Sequence, residues 1–310
     1  MITKSPTLVS AFCGNVHFTS SGREAFSSLL KLINFERNQE LLIPAYVGFT
    51  DREGSGVLDP IEENNVTYNF YPVKKNFSID LKVLEDLITL NSTRAVLIIH
   101  YFGMLHCDIL KIKRLCEIHN TLLIEDCCHT IYSKYDDSNL GDFGDFSFYS
   151  LHKVLPVQTG GFFKINNKSY CDIGIVIRDQ CSPDVLEMFL KYDGIKAKKQ
   201  VCSNYEYMCK GLKDIGGLEI LYPELSGEIF PMNLPVFISK ISREDFYFKM
   251  IDRGVTLISL YYRLIDSIDI GSFPISHQIA SEIINFPINQ DITFEEMDEI
   301  IKMTKTILED

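Results

Sequence analysis

Lys153 stands in the run Phe148-Tyr149-Ser150-Leu151-His152-Lys153-Val154-Leu155-Pro156, an amine among apolar neighbours, with Gly160-Gly161 following in the same loop. An amine so placed is expected to lose solvation, which favours its neutral, nucleophilic form and covalent bonding to an aldehyde. Ser150, three residues earlier, offers a hydroxyl to a phosphate held beside that bond. The plainer alternative is a solvated lysine at a strand end, the usual fate of this residue type. Asp126, after Glu125, ends the strand Thr121-Leu122-Leu123-Ile124 and needs a partner there. A protonated pyridine nitrogen would be one, and the pair would keep the ring an electron sink; a helix cap or a lysine would serve equally. His129 is placed to stack on such a ring, to hydrogen-bond its phenolic oxygen, or to act structurally. In Ser20-Ser21-Gly22-Arg23-Glu24-Ala25, small and hydroxylic residues open a helix. That leaves free N–H groups and a positive dipole end, a phosphate site or simply an N-cap at Ser21.

These groups share a position as well as a type. Residues 22–165 alternate short apolar runs with amphipathic helical patterns, as in a mostly parallel central sheet with flanking crossover helices. Strands are expected at 40–44, 66–71, 95–99, 121–124, 146–149 and 161–165, with helices at 22–34 and 79–90 and one capped by Asp108 that runs to 119. In such sheets ligands bind at the carboxyl ends of strands. Ser21-Gly22-Arg23 before a helix, and Glu125-Asp126 and Ser150 to Lys153 after strands, all fall there. A long helical stretch follows over 183–215, then a smaller α+β unit. Its strands are expected near 218–221 and 234–238, and its helices near 243–253 and 293–308. The expected division is a large α/β domain over 1–200 and a small C-terminal α+β domain over 201–310.

Composition excludes several classes. A formal charge of −12 argues against general affinity for nucleic acid or anionic membrane, although one local cluster of donors suffices for a small anion. No apolar run is long enough to span a bilayer and the N-terminus lacks an apolar signal core. Nine irregularly spaced cysteines read as reduced thiols, as in the cytoplasm. Cys116-x-x-His119 and Cys127-Cys128-His129 do not pair into two ligand clusters, since adjacent cysteines on a strand point to opposite faces. No metal is expected.

In order along the chain, Ser21-Gly22-Arg23-Glu24-Ala25-Phe26, Leu42-Ile43-Pro44-Ala45-Tyr46, His100-Tyr101-Phe102-Gly103, Ile124-Glu125-Asp126-Cys127-Cys128-His129, Gly141-Asp142-Phe143-Gly144-Asp145, the Ser-x-His-Lys run, Gly160-Gly161 and Phe286-Pro287-Ile288 resemble the DegT/DnrJ/StrS family of aminotransferases that use pyridoxal 5'-phosphate (PLP). The resemblance implies the PLP-dependent transferase fold type I and assigns roles. Lys153 would carry the cofactor, Asp126 would pair with the pyridine nitrogen, and His129 would sit near the phenolic oxygen. Ser21, Gly22, Arg23 and Ser150 would hold the phosphate. Phe49, one position off the commonest pattern, is the nearest candidate to stack on the ring. The implied reaction moves an amino group from glutamate or glutamine to a keto acceptor, a nucleotide-linked keto-sugar, in a homodimer. Two rivals are a PLP-dependent sugar dehydratase, disfavoured because Lys153 is retained, and a non-catalytic protein of the same fold. The chain is shorter than typical members and has no clear Gly-Tyr-Asn-x-Arg segment after the lysine; Asn204-Tyr205 fits a later helix better. Arg178, Arg243 and Arg263 could contact an anion, but most surface arginines are only solvated and none of the three is singled out.

Overall fold

The apolar runs Ala95 to Ile99 and Leu122 to Ile124 are buried on both faces, as the centre of a covered parallel sheet requires. They lie in a computed structural model that describes residues 15–90, 92–175 and 177–309. The first half of the chain runs β1 (Val16–Thr19), α1 (Gly22–Ile33), β2 (Glu40–Pro44), α2 (Leu58–Glu63), β3 (Thr67–Tyr71), α3 (Leu81–Leu90), β4 (Thr93–Ile99), α4 (Ile109–Ile118) and β5 (Leu122–Asp126). A small hairpin, β6 (Lys134–Tyr135) and β7 (Ser138–Asn139), precedes β8 (Phe146–Ser150) and β9 (Gly161–Ile165). The remainder is α5 (Pro183–Lys191), α6 (Gly194–Leu212), β10 (Leu218–Ile220), β11 (Leu234–Ile238), α7 (Arg243–Ile251), α8 (Pro274–Glu282), β12 (Ile283–Phe286) and α9 (Phe294–Glu309).

Seven strands form one sheet in the order β1-β9-β8-β5-β4-β2-β3. From β3 to β8 the neighbours are parallel, β9 is antiparallel to β8, and β1 is antiparallel to β9. Five parallel strands and β1 therefore end on one edge. Pro44, Ile99, Asp126, Ser150 and the Thr19-to-Gly22 turn all emerge there. Phe26 of α1 stacks on Phe148 of β8 at 4.5 Å, which fixes the helix start over that edge. This is the fold type I architecture expected from the sequence. The C-terminal unit is a three-stranded antiparallel sheet, β10-β11-β12, with helices against it. Among the described residues no helix is long and apolar enough to cross a membrane.

The structure departs from the sequence expectation in several places, among them α2, the β6–β7 hairpin and α8, which no expected element covers. The helix expected over 183–215 is two helices, because Tyr192 leaves the helical region and Asp193 caps α6 by accepting from Lys196 N–H (3.0 Å). Position 200, the expected division between the two domains, lies inside α6, a continuous helix packed against β10, β11 and α9. Strands β1 and β12, four residues each, are too short for a legible period.

Candidate active site

The exit of β5 sets the first part of the site. Asp126 is only 6% exposed, and its partners are the Cys128 N–H (2.9 Å to Oδ1) and the Cys128 thiol. Burial raises its pKa above the ordinary carboxylate value, opposed chiefly by the charge of Lys153 and by the Cys128 bonds. Among the described residues no lysine or arginine forms an ion pair with it. Glu125 plays a different part. Its oxygens accept from Gly141 N–H (3.0 Å), Phe143 N–H (2.9 Å), Gly144 N–H (2.5 Å) and His100 Nε2 (2.8 Å). That carboxylate clamps the 141–144 turn beneath the sheet edge. Cys127 lies near enough to complete a metal-like triad with His100 and Glu125, but these four bonds already employ the carboxylate.

His129 is 3% exposed and bonded at both ring nitrogens. Phe102 N–H donates to Nδ1 (3.2 Å), and Nε2 lies 2.9 Å from Lys153 Nζ. Burial first, then the charges of Lys153, His106 and His152, push its pKa well below the ordinary histidine value, so the ring is neutral. With Nδ1 an acceptor, the single proton sits on Nε2. His129 Nε2–H therefore faces Lys153 Nζ, and the two form a hydrogen bond only when the amine is unprotonated and offers its lone pair. Phe102 directs this tautomer from a left-handed conformation (φ 59°, ψ 12°) that a non-glycine residue adopts only when held there. Its carbonyl is held by Met232 N–H (2.8 Å). At the neighbouring Gly103 (φ 82°) a side chain would overlap Phe230 O and stand 2.7 Å from His129 O.

The second part of the site is built from α1 and β8. Ser21 caps the helix, its hydroxyl accepting from Glu24 N–H (3.2 Å), and the Gly22 and Arg23 amides open the first turn without intrahelical acceptors. A Cβ on Gly22 would stand 3.1 Å from Cys128 Sγ and 3.2 Å from Ser150 Cβ. The helix start, the β5 exit and Ser150 thus meet at one point. Gly161 permits this, since a Cβ there would lie 2.6 Å from Gly22 N. The Ser150 hydroxyl pairs with His152 Nδ1 at 3.0 Å.

The structure brings Ser21, Gly22, Asp126, His129, Ser150 and Lys153 together. Arg23 contributes its backbone only, because its guanidinium turns away to Glu53 O and Asp59. Phe49 is half-buried with the Arg263 guanidinium 5.2 Å over its ring. One expectation fails: Lys153 is exposed in the single chain, so the apolar residues beside it in sequence do not desolvate it. Val154 and Leu155 point into the core instead. Asn204 and Tyr205 are buried in α6, bonded to Asn289 O (2.8 Å) and Tyr222 O (2.6 Å). Arg178 pairs with Glu24, Arg243 with Glu244 and Ser259, and Arg263 with Asp51. Sequence reasoning missed the role of Phe102, whose only signal was its place in His100-Tyr101-Phe102-Gly103.

A neutral buried histidine also has a stability consequence. A group whose folded pKa is depressed stabilises the fold above its unfolded pKa, and that stability is lost as the pH falls toward the folded value. For His129 the loss begins below the ordinary 6.5 and has a limiting slope of about 1.4 kcal/mol per pH unit. His129→Gln should flatten the fall in chemical-denaturation stability below pH 6.5 by part of that slope; His17, His106 and His152 are depressed too and keep the rest. An unchanged slope in the variant would refute the neutral assignment.

A lysine amine, a buried carboxylate without an ion pair among the described residues and a helix start with a serine gather at the carboxyl edge of this sheet. The profile of the DegT/DnrJ/EryC1/StrS aminotransferase family matches residues 7–194, and the chain belongs to that family. It is a transaminase. Among its relatives is the dTDP-3-amino-3,6-dideoxy-alpha-D-galactopyranose transaminase of Aneurinibacillus thermoaerophilus, 21% identical over 329 residues, covering 94% of this chain and 86% of that protein. The UDP-4-amino-4,6-dideoxy-N-acetyl-beta-L-altrosamine transaminase of Campylobacter jejuni is 31% identical over 134 residues, 40% of this chain and 35% of that one. Among solved structures, a DegT DnrJ EryC1 StrS aminotransferase from Brucella abortus superposes with a TM-score of 0.81 at 16% identity, covering 95% of this chain and 86% of that one. The PLP form of a sugar aminotransferase from Streptococcus pneumoniae gives 0.78 at 16% identity, with 95% and 87% covered.

Proposed function

We propose that this transaminase uses PLP to move the amino group of glutamate or glutamine to the keto group of a nucleotide-linked sugar. The observation that carries the cofactor reading is the pairing of an accessible amine at Lys153 with a buried carboxylate at Asp126 that lacks an ion-pair partner. A protonated heteroaromatic nitrogen answers that carboxylate, and an aldehyde answers that amine. The relatives named above, transaminases of dTDP- and UDP-linked sugars, support the acceptor class.

Bound PLP would supply an electron sink beside the reacting carbon. The chain's own groups do the rest. The Gly22 and Arg23 amides, the α1 dipole and the Ser150 hydroxyl bind the phosphate. Asp126 holds a proton on the ring nitrogen, since a carboxylate already out of water gains most from a charged N–H partner. His129, fixed as the Nε2–H tautomer, donates to whatever acceptor stands beside Lys153, the phenolic oxygen included. Lys153 would hold the cofactor's aldehyde and, as a free amine, would take and return the substrate proton as general base and acid. Its exposure leaves the open side of the site for substrate and for a second copy, and we infer a working homodimer from the fold.

The purified protein supplemented with PLP should gain a visible absorbance band. Glutamate or glutamine should convert that band to the shorter-wavelength form of the aminated cofactor, and a nucleotide-linked keto-sugar should restore it. A band that no amino donor converts would overturn the transamination proposed here. A converted band that only non-sugar keto acids restore would overturn the acceptor class.

A further inference from the structure

Position 48 carries no side chain, and a distant residue lies where one would be. A methyl built on Gly48 overlaps Cδ1 of Tyr261 and stands 2.7 Å from Cγ and 2.9 Å from Cε1 of the same ring. The ring of Tyr261 thus lies against the bare Cα of the segment that follows β2. A short antiparallel crossing brings it there: Phe49 N–H donates to Arg263 O and Ile265 N–H to Val47 O, both at 3.0 Å. Tyr261 itself takes φ 52°, the left-handed region that non-glycine residues avoid unless their surroundings impose it. The Tyr46 hydroxyl imposes it in part, bonding to Tyr261 O at 3.3 Å and Leu260 O at 3.4 Å. The Tyr46 and Tyr101 rings meet the Tyr261 ring edge-on, with centroids at 5.5 and 6.1 Å.

Geometry ties this ring to the active site. Tyr101, whose ring meets that of Tyr261, precedes Phe102, whose N–H bonds His129 Nδ1 (3.2 Å), and His129 Nε2 lies 2.9 Å from Lys153 Nζ. Burial raises the pKa of the Tyr261 phenol, and the charges of Asp126 and Cys128 act on it in the same direction. Asp126 is the carboxylate assigned to the ring nitrogen, and Cys128 approaches the Gly22 turn assigned to the phosphate. A flat cofactor spanning those two points would have Tyr261 among its neighbours.

We propose that Tyr261 is the aromatic wall of the cofactor pocket, its ring covering one face of the pyridine in the place that a side chain at position 48 would take. The assignment rests on the reading of this site as a PLP pocket. A flat, weakly polar surface suits a heteroaromatic ring, and offset or edge-to-face aromatic contacts add attraction beyond the area they bury. The wall comes from the segment between α7 and α8, so the smaller unit takes part in holding the cofactor. Gly48 is then required in this chain: any larger residue competes with Tyr261 for one volume.

Equilibrium dialysis with PLP tests this on the whole protein, with circular dichroism confirming that each apo variant is folded. Tyr261→Leu should raise the Kd for PLP on the order of tenfold, and Tyr261→Phe, which keeps the ring, should stay within about twofold. Gly48→Tyr combined with Tyr261→Gly moves the ring back to position 48 and relieves the left-handed backbone. It should recover affinity that Tyr261→Gly alone loses. A wild type that binds PLP beside a folded Tyr261→Leu that binds it equally well would overturn this assignment alone. A wild type that takes up no PLP would overturn the cofactor reading along with it.

Discussion

Lys153→Ala is expected to remove transamination almost entirely, lowering turnover by at least about 10⁴-fold, while leaving the apo fold intact. The two halves of that expectation have separate causes. The side chain is exposed, and among the described residues it hydrogen-bonds His129, so its removal falls among surface changes worth within about 0.5 kcal/mol. Function loses two things together, the covalent hold on the cofactor and the base that moves the substrate proton. Borohydride reduction followed by peptide mass mapping separates them. Wild type should carry reduced cofactor on the peptide containing residue 153, and the variant should carry none. Lys153→Arg should not rescue, because a guanidinium keeps its proton and offers no lone pair. Turnover of the alanine variant within tenfold of wild type would remove Lys153 from the mechanism.

How much of this site was legible before the coordinates follows from which features are local. Asp126, Ser150 and the Ser21-Gly22 turn could be placed together because each ends a strand or opens a helix, and parallel strands deliver all such ends to one edge. The exposure of Lys153 was not legible. Apolar neighbours in sequence suggested burial, but Val154 and Leu155 turn inward and the loop leaves the amine outside. The tautomer of His129 depends on the backbone of Phe102, and no propensity signals a left-handed phenylalanine. The Tyr261 contact joins segments far apart in sequence through three rings and a strand crossing. Gly48 gave a partial hint, since the aromatic expected near that position appeared one residue late, at Phe49. The break between α5 and α6 rests on Asp193, a helix cap hidden inside an otherwise amphipathic pattern.

Asp126→Asn is expected to cost turnover about 10²–10³-fold and yet leave the apo protein at least as stable as wild type. The amide keeps the geometry, because its oxygen can still accept from Cys128 N–H where Oδ1 does now at 2.9 Å. What it loses is the negative charge that favours a proton on the ring nitrogen. Without that proton the ring withdraws electrons less, and the barrier to breaking the substrate C–H bond rises. Stability moves the other way, and pH separates the effects. Burial holds the Asp126 carboxyl above its ordinary 3.8, so its contribution to stability is fully present below the unfolded pKa and is lost as the pH rises through the folded one. The asparagine resembles the protonated acid and titrates nowhere. Apo variant and apo wild type should therefore match in chemical-denaturation stability in acid, with the variant gaining as the pH approaches neutrality. A variant that gains stability while losing turnover is the pattern of a charge kept for function at a cost to the fold. An asparagine variant less stable than wild type at neutral pH, with turnover unchanged, would make Asp126 a structural residue and leave the ring nitrogen without its partner.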